Sequence, residues 1–442
     1  MNQYKTAPTD SPSLPKGIPY IIGNEAAERF SFYGMRAILI VFMTQYLLTA
    51  DGQTDYMSND EAKGWFHLFV SAVYFTPILG ALISDGILGK YKTIILLSLV
   101  YTAGHFALSI DDSRAGLAVG LGLIALGAGG IKPCVSAHVG DQFSQSNSHL
   151  LPRVFGWFYF SINLGAFLAT LLIPWLLDTY GSSVAFGVPG ILMLLATIIF
   201  WSGRNRFVHV PAGRKLFIKE VFSKQGMSAL TRLAALYAFI AVFWSLFDQT
   251  ASSWILQAEK MDRTIFGIEL LASQLPAANP LLVMLLIPIF SYKVYPLINK
   301  VFTLTPLRKI SIGLFITVLA FVISALIQEE IDAGLTPHIS WQILAYVILT
   351  SAEVMISITC LEFSYTQAPT KMKSFIMAFF MMSIAVGNLF TSAVNFFIEN
   401  DDGSSKLAGA DYFWFFSLLM LITATAFIFV ARAYKEQSYI QK

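Results

Sequence analysis

Twelve stretches of this chain are apolar over a length that can cross a lipid bilayer, in two sets of six separated by a charged gap at 203–228. A spanning helix needs about 20 predominantly apolar residues, and only helices or closed barrels satisfy their backbone hydrogen bonds in lipid. The sequence therefore predicts an all-α membrane protein with twelve transmembrane helices in two six-helix bundles. The apolar stretches lie at 18–48, 63–84, 92–109, 115–137, 154–176, 184–202, 229–257, 276–298, 310–327, 341–361, 373–398 and 412–432.

Composition supports the membrane assignment. Hydrophobic residues make up 56% of the chain and charged residues 13%, and the charged fraction of an ordinary soluble domain is about twice as large. The N-terminal segment before the first span is polar and contains Pro8, Pro12 and Pro15. We therefore expect no cleavable signal peptide ahead of the first span.

The charges of the loops predict the orientation of the chain. Most Lys and Arg residues fall in the loops that share a side with the N-terminus, whereas most Asp and Glu residues fall in the alternate loops. Because cytoplasmic loops carry the excess of Lys and Arg, we expect both termini and the gap in the cytoplasm of a multi-pass cell-membrane protein. The bacterial inner membrane is the expected location.

The same division predicts the domains. An N-terminal bundle covers 1–203, a cytoplasmic linker covers 204–228, and a C-terminal bundle covers 229–442. The linker alternates basic and apolar residues, so it is either an amphipathic segment on the membrane surface or a plain connection.

The first span carries ionisable residues where lipid would exclude them. At 100° per residue, Glu25, Glu28, Arg29, Phe32 and Arg36 fall on one stripe of a helix. Ionisable residues within a membrane face the protein interior or a water-filled cavity. We therefore expect this helix to turn its charged stripe inward.

Eight ionisable residues in total fall inside predicted spans. Each would cost about 3 kcal/mol if unpaired, and together they would exceed a typical net stability of about 5–15 kcal/mol. They must therefore face one another or water. We interpret all of them as functional except Glu362, which we expect in an ion pair near a helix end. The residues are Glu25, Glu28, Arg29, Arg36, Lys132, Asp248, Glu353 and Glu362.

The signs of these charges divide between the two halves of the chain. Arg29, Arg36 and Lys132 make the first half net positive, whereas Asp248 and Glu353 lie in the net negative second half. If two bundles face each other across a cavity, one wall attracts a carboxylate and the other an ammonium group. This division predicts a zwitterionic substrate.

Four further polar or aromatic residues of the predicted spans are candidates. Asn163 and Asn279 either bind the amide groups of a substrate or hydrogen-bond neighbouring helices. His67 can change charge near physiological pH, so it is either a proton-coupling group or a bystander near the membrane interface. Trp244 lies one helical turn before Asp248 and is a candidate wall of the cavity.

Several motifs, taken together and in order, resemble the proton-dependent oligopeptide transporter family of the major facilitator superfamily. The resemblance covers nearly the whole chain, although the segment from Asp85 to Lys90 alone would indicate only the superfamily. The motifs are Glu25-Ala-Ala-Glu28-Arg29-Phe30, Tyr74-Phe-Thr-Pro-Ile-Leu-Gly80, Asp85-Gly-Ile-Leu-Gly-Lys90, Gly129-Gly-Ile-Lys-Pro-Cys-Val135, Gly140-Asp-Gln-Phe143, Phe158-Tyr-Phe-Ser-Ile-Asn163-Leu-Gly165, Phe247-Asp-Gln249 and Leu361-Glu-Phe-Ser-Tyr-Thr-Gln-Ala-Pro369.

The resemblance implies a peptide-binding site. By this resemblance Arg36 and Lys132 would bind the carboxylate of a peptide. Glu353, Asn163 and Asn279 would bind its amino terminus and backbone. The aromatic residues implied to line the pocket are Tyr33, Tyr74 and Trp244.

The resemblance also implies a proton-linked cluster formed by Glu25, Glu28 and Arg29. Asp248 and the lysine of the peptide site would exchange ion-pair partners as the bundles rock. His67 matches a histidine of the animal members of the family, which favours a role in proton coupling.

Three features of the chain depart from the family pattern. Phe32 stands where a tyrosine is common and removes a hydroxyl donor, and Phe380 stands where many members have tryptophan. Many bacterial members carry two extra helices between the bundles, whereas the gap here is too short and too charged to hold them. We therefore expect the fold of the superfamily without those helices.

These observations predict a proton-coupled symporter that imports dipeptides and tripeptides by alternating access. We expect a monomer in the lipid bilayer, with no cofactor, metal or nucleic-acid partner.

Another anion or zwitterion, such as nitrate or a plant-type metabolite, is an alternative substrate, but members that resemble nitrate carriers lack the acids matched by Glu25 and Glu28. An enzyme would need a nucleophile–base pair or a metal cluster, and the scattered histidines give no such spacing. A sensor that binds peptide without transporting it is the remaining alternative.

Overall fold

The computed structural model describes residues 4–212, 224–367 and 373–434. Every stretch predicted to span a membrane is helical within this part of the chain. The helices of the first half are α1 (Ile18–Gln45), α2 (Asn59–Phe75), α3 (Pro77–Ile83), α4 (Lys90–Ile110), α5 (Arg114–Gly140), α6 (Leu151–Tyr180) and α7 (Ser182–Ser202). Those of the second half are α8 (Lys224–Phe247), α9 (Ser253–Ala258), α10 (Ala278–Ile289), α11 (Tyr295–Val301), α12 (Pro306–Asp332), α13 (Ser340–Glu353), α14 (Thr359–Gln367), α15 (Lys373–Ile398) and α16 (Ala410–Ala433).

Twelve helical segments of the described chain have the length of a membrane span. Eleven are also apolar enough by composition. The twelfth is α1, which is 28 residues long, or about 42 Å at 1.5 Å per residue. Helix α1 is less apolar in composition than the other eleven because it carries four ionisable residues, all of which are buried.

Several spans are interrupted by tighter or wider turns. A π-helical turn, Ser84–Leu88, extends α3, and another, Phe290–Val294, joins α10 to α11. A third, Val354–Ile358, follows α13, and a 3₁₀ turn, Asp248–Ala251, separates α8 from α9. Such turns inside a helix often occur at functional sites.

The one β-sheet of the described residues is a small hairpin between α9 and α10. Its strands β1 (Thr264–Ile265) and β2 (Ile268–Glu269) pair antiparallel, with Thr264 opposite Glu269. Phe266 and Gly267 in the turn both have positive φ, 49° and 80°. Two positive φ values are the signature of the type I′ turn that matches the twist of a hairpin.

The chain divides into two compact units. The first comprises Met1–Tyr56 with Ala72–Ile218, and the second comprises Met57–Ser71 with Lys219–Lys442. The sequence places residues 57–71 in the N-terminal bundle at 1–203, whereas in the structure they pack within the second unit. Residues 213–223 of the predicted linker at 204–228 lie outside the described residues. Residues 368 and 369 of the last motif also lie outside them.

Polar contacts explain why the first part of α2 packs in the second unit. The Ser392 hydroxyl of α15 donates to the carbonyl of Gly64 at 2.8 Å. A Cβ atom on Gly64 would lie 2.7 Å from the Phe396 ring, so the absence of a side chain lets the two helices approach closely. The Lys63 ammonium lies 3.8 Å from the centroid of the Tyr412 ring. Helix α2 therefore begins in one unit and ends in the other.

Glycines in α5 permit close helix packing in the first unit. A Cβ atom on Gly129 would overlap the carbonyl oxygen of Val73 and the hydroxyl of Thr76. The Thr76 hydroxyl donates to the carbonyl of Ala125 at 2.7 Å and fixes the same contact. Gly122 has no atom within 4 Å of its Cβ position. Close helix packing therefore requires glycine at Gly129 but not at Gly122.

Replacing Gly129 by alanine is expected to destabilise the protein by about 1–3 kcal/mol, because the added methyl group overpacks two backbones that cannot separate. Gly122→Ala, in the same helix, is the matched control and should be neutral or stabilising by up to about 1 kcal/mol. Thermal unfolding of the purified protein in detergent measures both. Equal melting temperatures for the two variants would contradict this packing.

Candidate functional site

The charged stripe of α1 forms a buried ion cluster in the first unit. The Arg29 Nε atom lies 2.7 Å from Glu25 Oε1 and 3.0 Å from Glu28 Oε2. All three residues are nine-tenths or more buried. The spacing i, i+4 on one helix brings Glu25 to Arg29, so the cluster forms within α1 alone.

Glu28 is the less satisfied of the two acids. Its approach to Arg29 lacks hydrogen-bond geometry, and neither of its carboxylate oxygens accepts a hydrogen bond from a described residue. Glu25 Oε1 does accept a hydrogen bond from the Arg29 Nε–H group. A buried carboxylate without hydrogen bonds is costly as an anion, so Glu28 is the acid of this cluster best suited to gain and lose a proton.

Lys132 in α5 lies in an aromatic environment. Its Nζ atom is 4.2 Å from the centroid of the Phe32 ring and 4.2 Å from that of the Tyr74 ring. It is buried, and no described residue accepts a hydrogen bond from Nζ. A buried ammonium carries three donors, and ring faces stabilise its charge without using them. The side chain therefore retains its donors for an anion.

Three other predicted residues lie in the same unit. Arg36 is buried on α1, two turns beyond Arg29. The ring of Tyr33 meets that of Phe32 edge-on at 5.5 Å. Asn163 in α6 donates from Nδ2 to the carbonyl of Tyr159 at 2.9 Å, within its own helix. This bond does not connect Asn163 to another helix.

His67 and Asp248 are joined through one asparagine in the second unit. Asn388 in α15 donates from Nδ2 to Asp248 Oδ2 at 2.6 Å, and its Oδ1 atom lies 2.7 Å from His67 Nδ1. The other ring nitrogen, Nε2, lies 2.9 Å from the hydroxyl oxygen of Ser252. All four side chains are at most 3% exposed. His67 is thus a buried member of a hydrogen-bonded chain and lies in the middle of α2.

The orientation of the asparagine fixes the role of one ring nitrogen. Because Asn388 Nδ2 donates to a carboxylate, its Oδ1 is the acceptor, so His67 Nδ1 carries the proton and donates. Nε2 then accepts from Ser252 in the neutral ring and donates to the same hydroxyl in the charged ring. The chain accommodates either charge state of His67 through rotation of a single hydroxyl group.

Glu353 and Asn279 meet at an irregular point of the second unit. Asn279 in α10 donates from Nδ2 to Glu353 Oε2 at 2.7 Å and to the Thr350 hydroxyl at 3.2 Å. Glu353 is the last residue of α13 before the π-helical turn. Both side chains are only half-buried. This contact ties α10 to α13 and leaves the second carboxylate oxygen of Glu353 available for another partner.

Trp244 packs in an aromatic group at the end of α8. Its ring lies 5.1 Å from the Phe243 ring and 5.4 Å from the Phe247 ring. It is buried, and no described residue accepts a hydrogen bond from its Nε1–H group. Asp248 follows one turn later at the start of the 3₁₀ turn.

The predicted residues thus fall into two separate groups. The first unit contains Glu25, Glu28, Arg29, Tyr33, Arg36, Tyr74, Lys132 and Asn163, and the second contains His67, Trp244, Asp248, Asn279 and Glu353. Glu362 is exposed, and no described residue forms an ion pair with it, so the predicted ion pair is absent from the described part of the chain.

The sequence interpretation missed Ser252, Thr350 and Asn388. A signal for Asn388 was present, because polar residues recur in the otherwise apolar α15 at i, i+3, i+4 and i+7. These residues are Asn388, Thr391, Ser392 and Asn395. Ser252 and Thr350 carry no such pattern.

Two of the motifs outside the spans also meet in the first unit. Lys90 donates from Nζ to Asp141 Oδ2 at 2.7 Å. The adjacent Gln142 accepts at Oε1 from the backbone N–H of Val208 at 2.9 Å. These contacts hold the ends of α4 and α5 against the segment that follows α7.

Buried, partly unsatisfied charges inside twelve helices of spanning length define a membrane protein that handles ions or polar solutes. The comparison with known families narrows this class. The model of the POT family matches residues 91–225 and 219–415, and the chain belongs to that family. The resemblance found in the motifs is thereby confirmed.

Individual relatives agree with this assignment. The chain is 37% identical over 365 residues to Peptide transporter family 1 of Drosophila melanogaster, an alignment that covers 72% of this chain and 48% of the relative. It is 37% identical over 379 residues to human Solute carrier family 15 member 2, covering 74% of this chain and 51% of the relative. The chain thus spans about half the length of the curated relatives it matches.

Solved structures match over almost the full length of both chains. An auto-inhibited POT family peptide transporter superposes with a TM-score of 0.86 at 37% identity, covering 97% of this chain and 99% of the other. The POT family transporter PepTSo gives 0.85 at 38% identity, covering 96% and 99%. The predicted fold, an all-α membrane protein of the major facilitator type, is confirmed.

Proposed function

We propose that this protein is a proton-coupled symporter that imports dipeptides and tripeptides by alternating access. The observation that carries the proposal is the buried cluster of Glu25, Glu28 and Arg29, in which Glu28 accepts no hydrogen bond from the described residues. An acid held in this way can exchange a proton and change the partner of a neighbouring cation. The similarity to Peptide transporter family 1 and to an auto-inhibited POT family peptide transporter supports the same substrate class.

The peptide is recognised by its two charged ends. Its carboxylate binds Arg36 and Lys132, and the unused donors of Lys132 support this assignment. Its amino group binds Glu353, while Asn279 and Asn163 contact its backbone. The aromatic residues beside these groups, Tyr33, Tyr74 and Trp244, pack against its side chains. Recognition of the two ends alone admits many side chains, because neither end contact depends on them.

Proton binding drives the conformational cycle. In the deprotonated state Glu28 and Glu25 share Arg29. When Glu28 gains a proton, the attraction between its carboxylate and Arg29 is lost, and the cation turns toward Glu25. The local charge becomes one unit more positive, which favours entry of a peptide carboxylate beside Lys132. The proton and the peptide therefore support each other's binding.

The chain from His67 to Asp248 supplies a second proton-linked element. A charged His67 donates hydrogen bonds to both Asn388 and Ser252. Asn388 in turn donates to the Asp248 carboxylate, so one side chain links His67 to Asp248. Loss of the proton weakens the hold on α2. The hydrogen bond from Asn388 to Asp248 does not depend on this proton. The exchange of ion-pair partners between Asp248 and Lys132 that the family resemblance implies would be a separate step of the cycle.

Membrane potential supplies the driving force. Moving one charge through 100 mV contributes about 2.3 kcal/mol, or about 50-fold accumulation. This is sufficient for uphill uptake of a neutral zwitterion that travels with a proton. The protein acts as a monomer in the bacterial inner membrane. Both of its termini lie in the cytoplasm, an orientation that the distribution of Lys and Arg favours.

Uptake by purified protein in lipid vesicles tests the function. Radiolabelled dialanine should accumulate only with an inside-negative potential and an inward proton gradient. Equal uptake after both gradients are collapsed would contradict coupling, and binding without uptake would support a sensor instead. Nitrate in place of dialanine tests the alternative substrate.

Asn388→Leu is expected to shift the pH dependence of peptide uptake and to lower its rate about 10-fold. The substitution removes the link between His67 and Asp248, and the loss corresponds to about one buried hydrogen bond to a charged group. Asn395→Leu removes a buried asparagine two turns later in α15, whose Nδ2 donates to Thr391 and Tyr412. It is the matched control and should keep the wild-type pH profile. Identical profiles for the two variants would exclude the proposed role of Asn388.

A further inference from the structure

The seam where α1 and α4 both pack against α7 in the first unit contains several buried polar atoms that the described chain leaves without partners. Asn24 is fully buried, and no residue that the structure describes forms a hydrogen bond with its Oδ1 or Nδ2 atom. The same holds for the hydroxyl of Ser98, which is 1% exposed, and for both ring nitrogens of His105. Native proteins seldom bury polar groups without a partner, and internal water is the usual partner when the chain offers none.

A contact between the two helices fixes their register. The Tyr101 hydroxyl of α4 donates to the backbone carbonyl of Glu28 in α1 at 3.5 Å. Asn24 lies one turn before Glu28, and Ser98 lies one turn before Tyr101. Because α1 and α4 are the first and third spans, they cross the membrane in the same direction. Asn24 and Ser98 therefore lie at the same level, on the side of Glu28 nearer the N-terminal ends of both helices.

Neighbouring hydroxyl groups on these helices do have hydrogen-bond partners. Ser31, two turns after Asn24, donates to the carbonyls of Ala27 and Pro189 at 2.8 and 2.9 Å. Thr102, one turn after Ser98, donates to the Ser98 carbonyl at 2.8 Å. Among the uncharged side chains that the structure describes on α1 and α4, the buried atoms without a hydrogen-bond partner belong to Asn24, Ser98 and His105.

We propose that this seam holds buried water molecules, bound by Asn24 and Ser98, that connect Glu28 with the aqueous phase at the N-terminal end of α1. Asn24 offers two donors and an acceptor and Ser98 offers one hydroxyl, which together match the roughly three hydrogen bonds of a buried water. The carboxylate oxygens of Glu28 also accept no hydrogen bond from described residues. The charged and titratable groups nearest Glu28 are Arg29, Glu25, Lys132 and Tyr101.

This inference deepens the proposed function and depends on it for its consequence. With protonated Glu28, the O–H bond of the carboxylic acid breaks and its proton forms a new O–H bond on the adjacent water. Neighbouring waters pass on the excess proton until it reaches the solvent, and the carboxylate is restored. No electron moves and no other reactant is required. The route leaves Glu28 on the side away from the peptide carboxylate, so the proton can leave while Lys132 still holds substrate.

The presence of water can be tested without transport. X-ray hydroxyl-radical labelling marks side chains that contact bound water, and Tyr101 and Tyr346 form a matched pair because both are at most 1% exposed. Tyr346 donates to the Thr250 carbonyl at 3.0 Å in the second unit. We expect Tyr101 in the full-length protein to be labelled at least about fivefold faster than Tyr346, and Asn24→Leu to abolish the difference. Equal labelling in the wild-type protein overturns the inference whatever the transport activity.

The role in proton transfer is tested by comparing two transport assays. Asn24→Leu should lower proton-driven dialanine accumulation about 10-fold and leave peptide exchange at equal pH within twofold, because exchange needs no net proton release. Asn24→Ser, which keeps a polar group and room for water, should restore most of the accumulation, and Ser31→Ala should change neither assay. Equal losses in both assays for Asn24→Leu would indicate a purely structural role and overturn the inference. A wild-type protein without proton-driven accumulation would contradict the proposed function itself.

Discussion

Glu28→Gln is expected to abolish gradient-driven accumulation of dipeptides while retaining peptide exchange. The substitution keeps the shape of the side chain but removes its ability to bind and release a proton. In the structure Glu28 lies 3.0 Å from Arg29 and accepts no hydrogen bond from the described residues, so its protonation state alone decides how Arg29 is shared. Accumulation in vesicles should fall at least about 50-fold, which is the full contribution of a 100 mV potential, whereas exchange should stay within about threefold.

The control for Glu28→Gln removes the charge of an exposed carboxylate that forms an ion pair. Glu269 lies in the β-hairpin with its side chain 69% exposed and paired to Arg263 at 3.0 Å. Glu269→Gln should leave accumulation and exchange unchanged, because an exposed ion pair contributes little. Proton-driven accumulation by Glu28→Gln at the wild-type rate would exclude Glu28 as the coupling acid and direct attention to His67.

Glu353→Ala is expected to weaken the binding of peptides with a free amino terminus by about 30-fold or more. Removing one partner of a partly buried charge pair costs about 2–5 kcal/mol. N-acetylated peptides carry no charge at that end, so their affinity should change less than about threefold. Binding measured by thermal shift with dialanine and N-acetyl-dialanine separates the two effects. Equal losses for both peptides would place the amino-terminal site elsewhere.

Two variants control for structural effects at this position. Glu353→Ala also removes the acceptor of Asn279 at 2.7 Å. Glu353→Gln retains an oxygen acceptor there and loses only the charge. Its affinity for dialanine should therefore fall much more than its affinity for N-acetyl-dialanine, as in Glu353→Ala, with little loss of stability. Glu330→Ala removes an exposed carboxyl of α12 and should bind both peptides like the wild-type protein. If Glu353→Gln binds dialanine as tightly as the wild-type protein, the geometry of the side chain and not its charge would be responsible for the loss of affinity in Glu353→Ala.

The structure gives a physical role to Phe32, the residue that departs from the family pattern. The sequence comparison describes it as the loss of a hydroxyl donor. In the fold, the Phe32 ring lies 4.2 Å from the Lys132 ammonium, and Tyr74 lies at the same distance. A phenyl face stabilises a cation without accepting a hydrogen bond. The substitution therefore preserves the electrostatic support of Lys132 and leaves its N–H donors unused.

The sequence by itself determined the features that depend on local spacing and on the lipid solvent. Apolar runs of spanning length specified every transmembrane helix, because lipid leaves the backbone no other way to satisfy its hydrogen bonds. The ion cluster of α1 followed from residues three and four apart on one helix, which are neighbours whatever the rest of the chain does. The motifs carried the family for the same reason, since they are short and contiguous.

Only the tertiary structure decided which helices share their polar residues. His67 meets Asn388, a residue 321 positions away, and Ser252, which is 185 positions away. Residues 57–71 pack within the second unit because Gly64 lets α15 approach. The unpartnered atoms of Asn24 and Ser98 become visible only when α1 and α4 both pack against α7. Contacts between distant segments depend on how whole helices pack, and the hydrophobic pattern that specifies each helix does not contain this information.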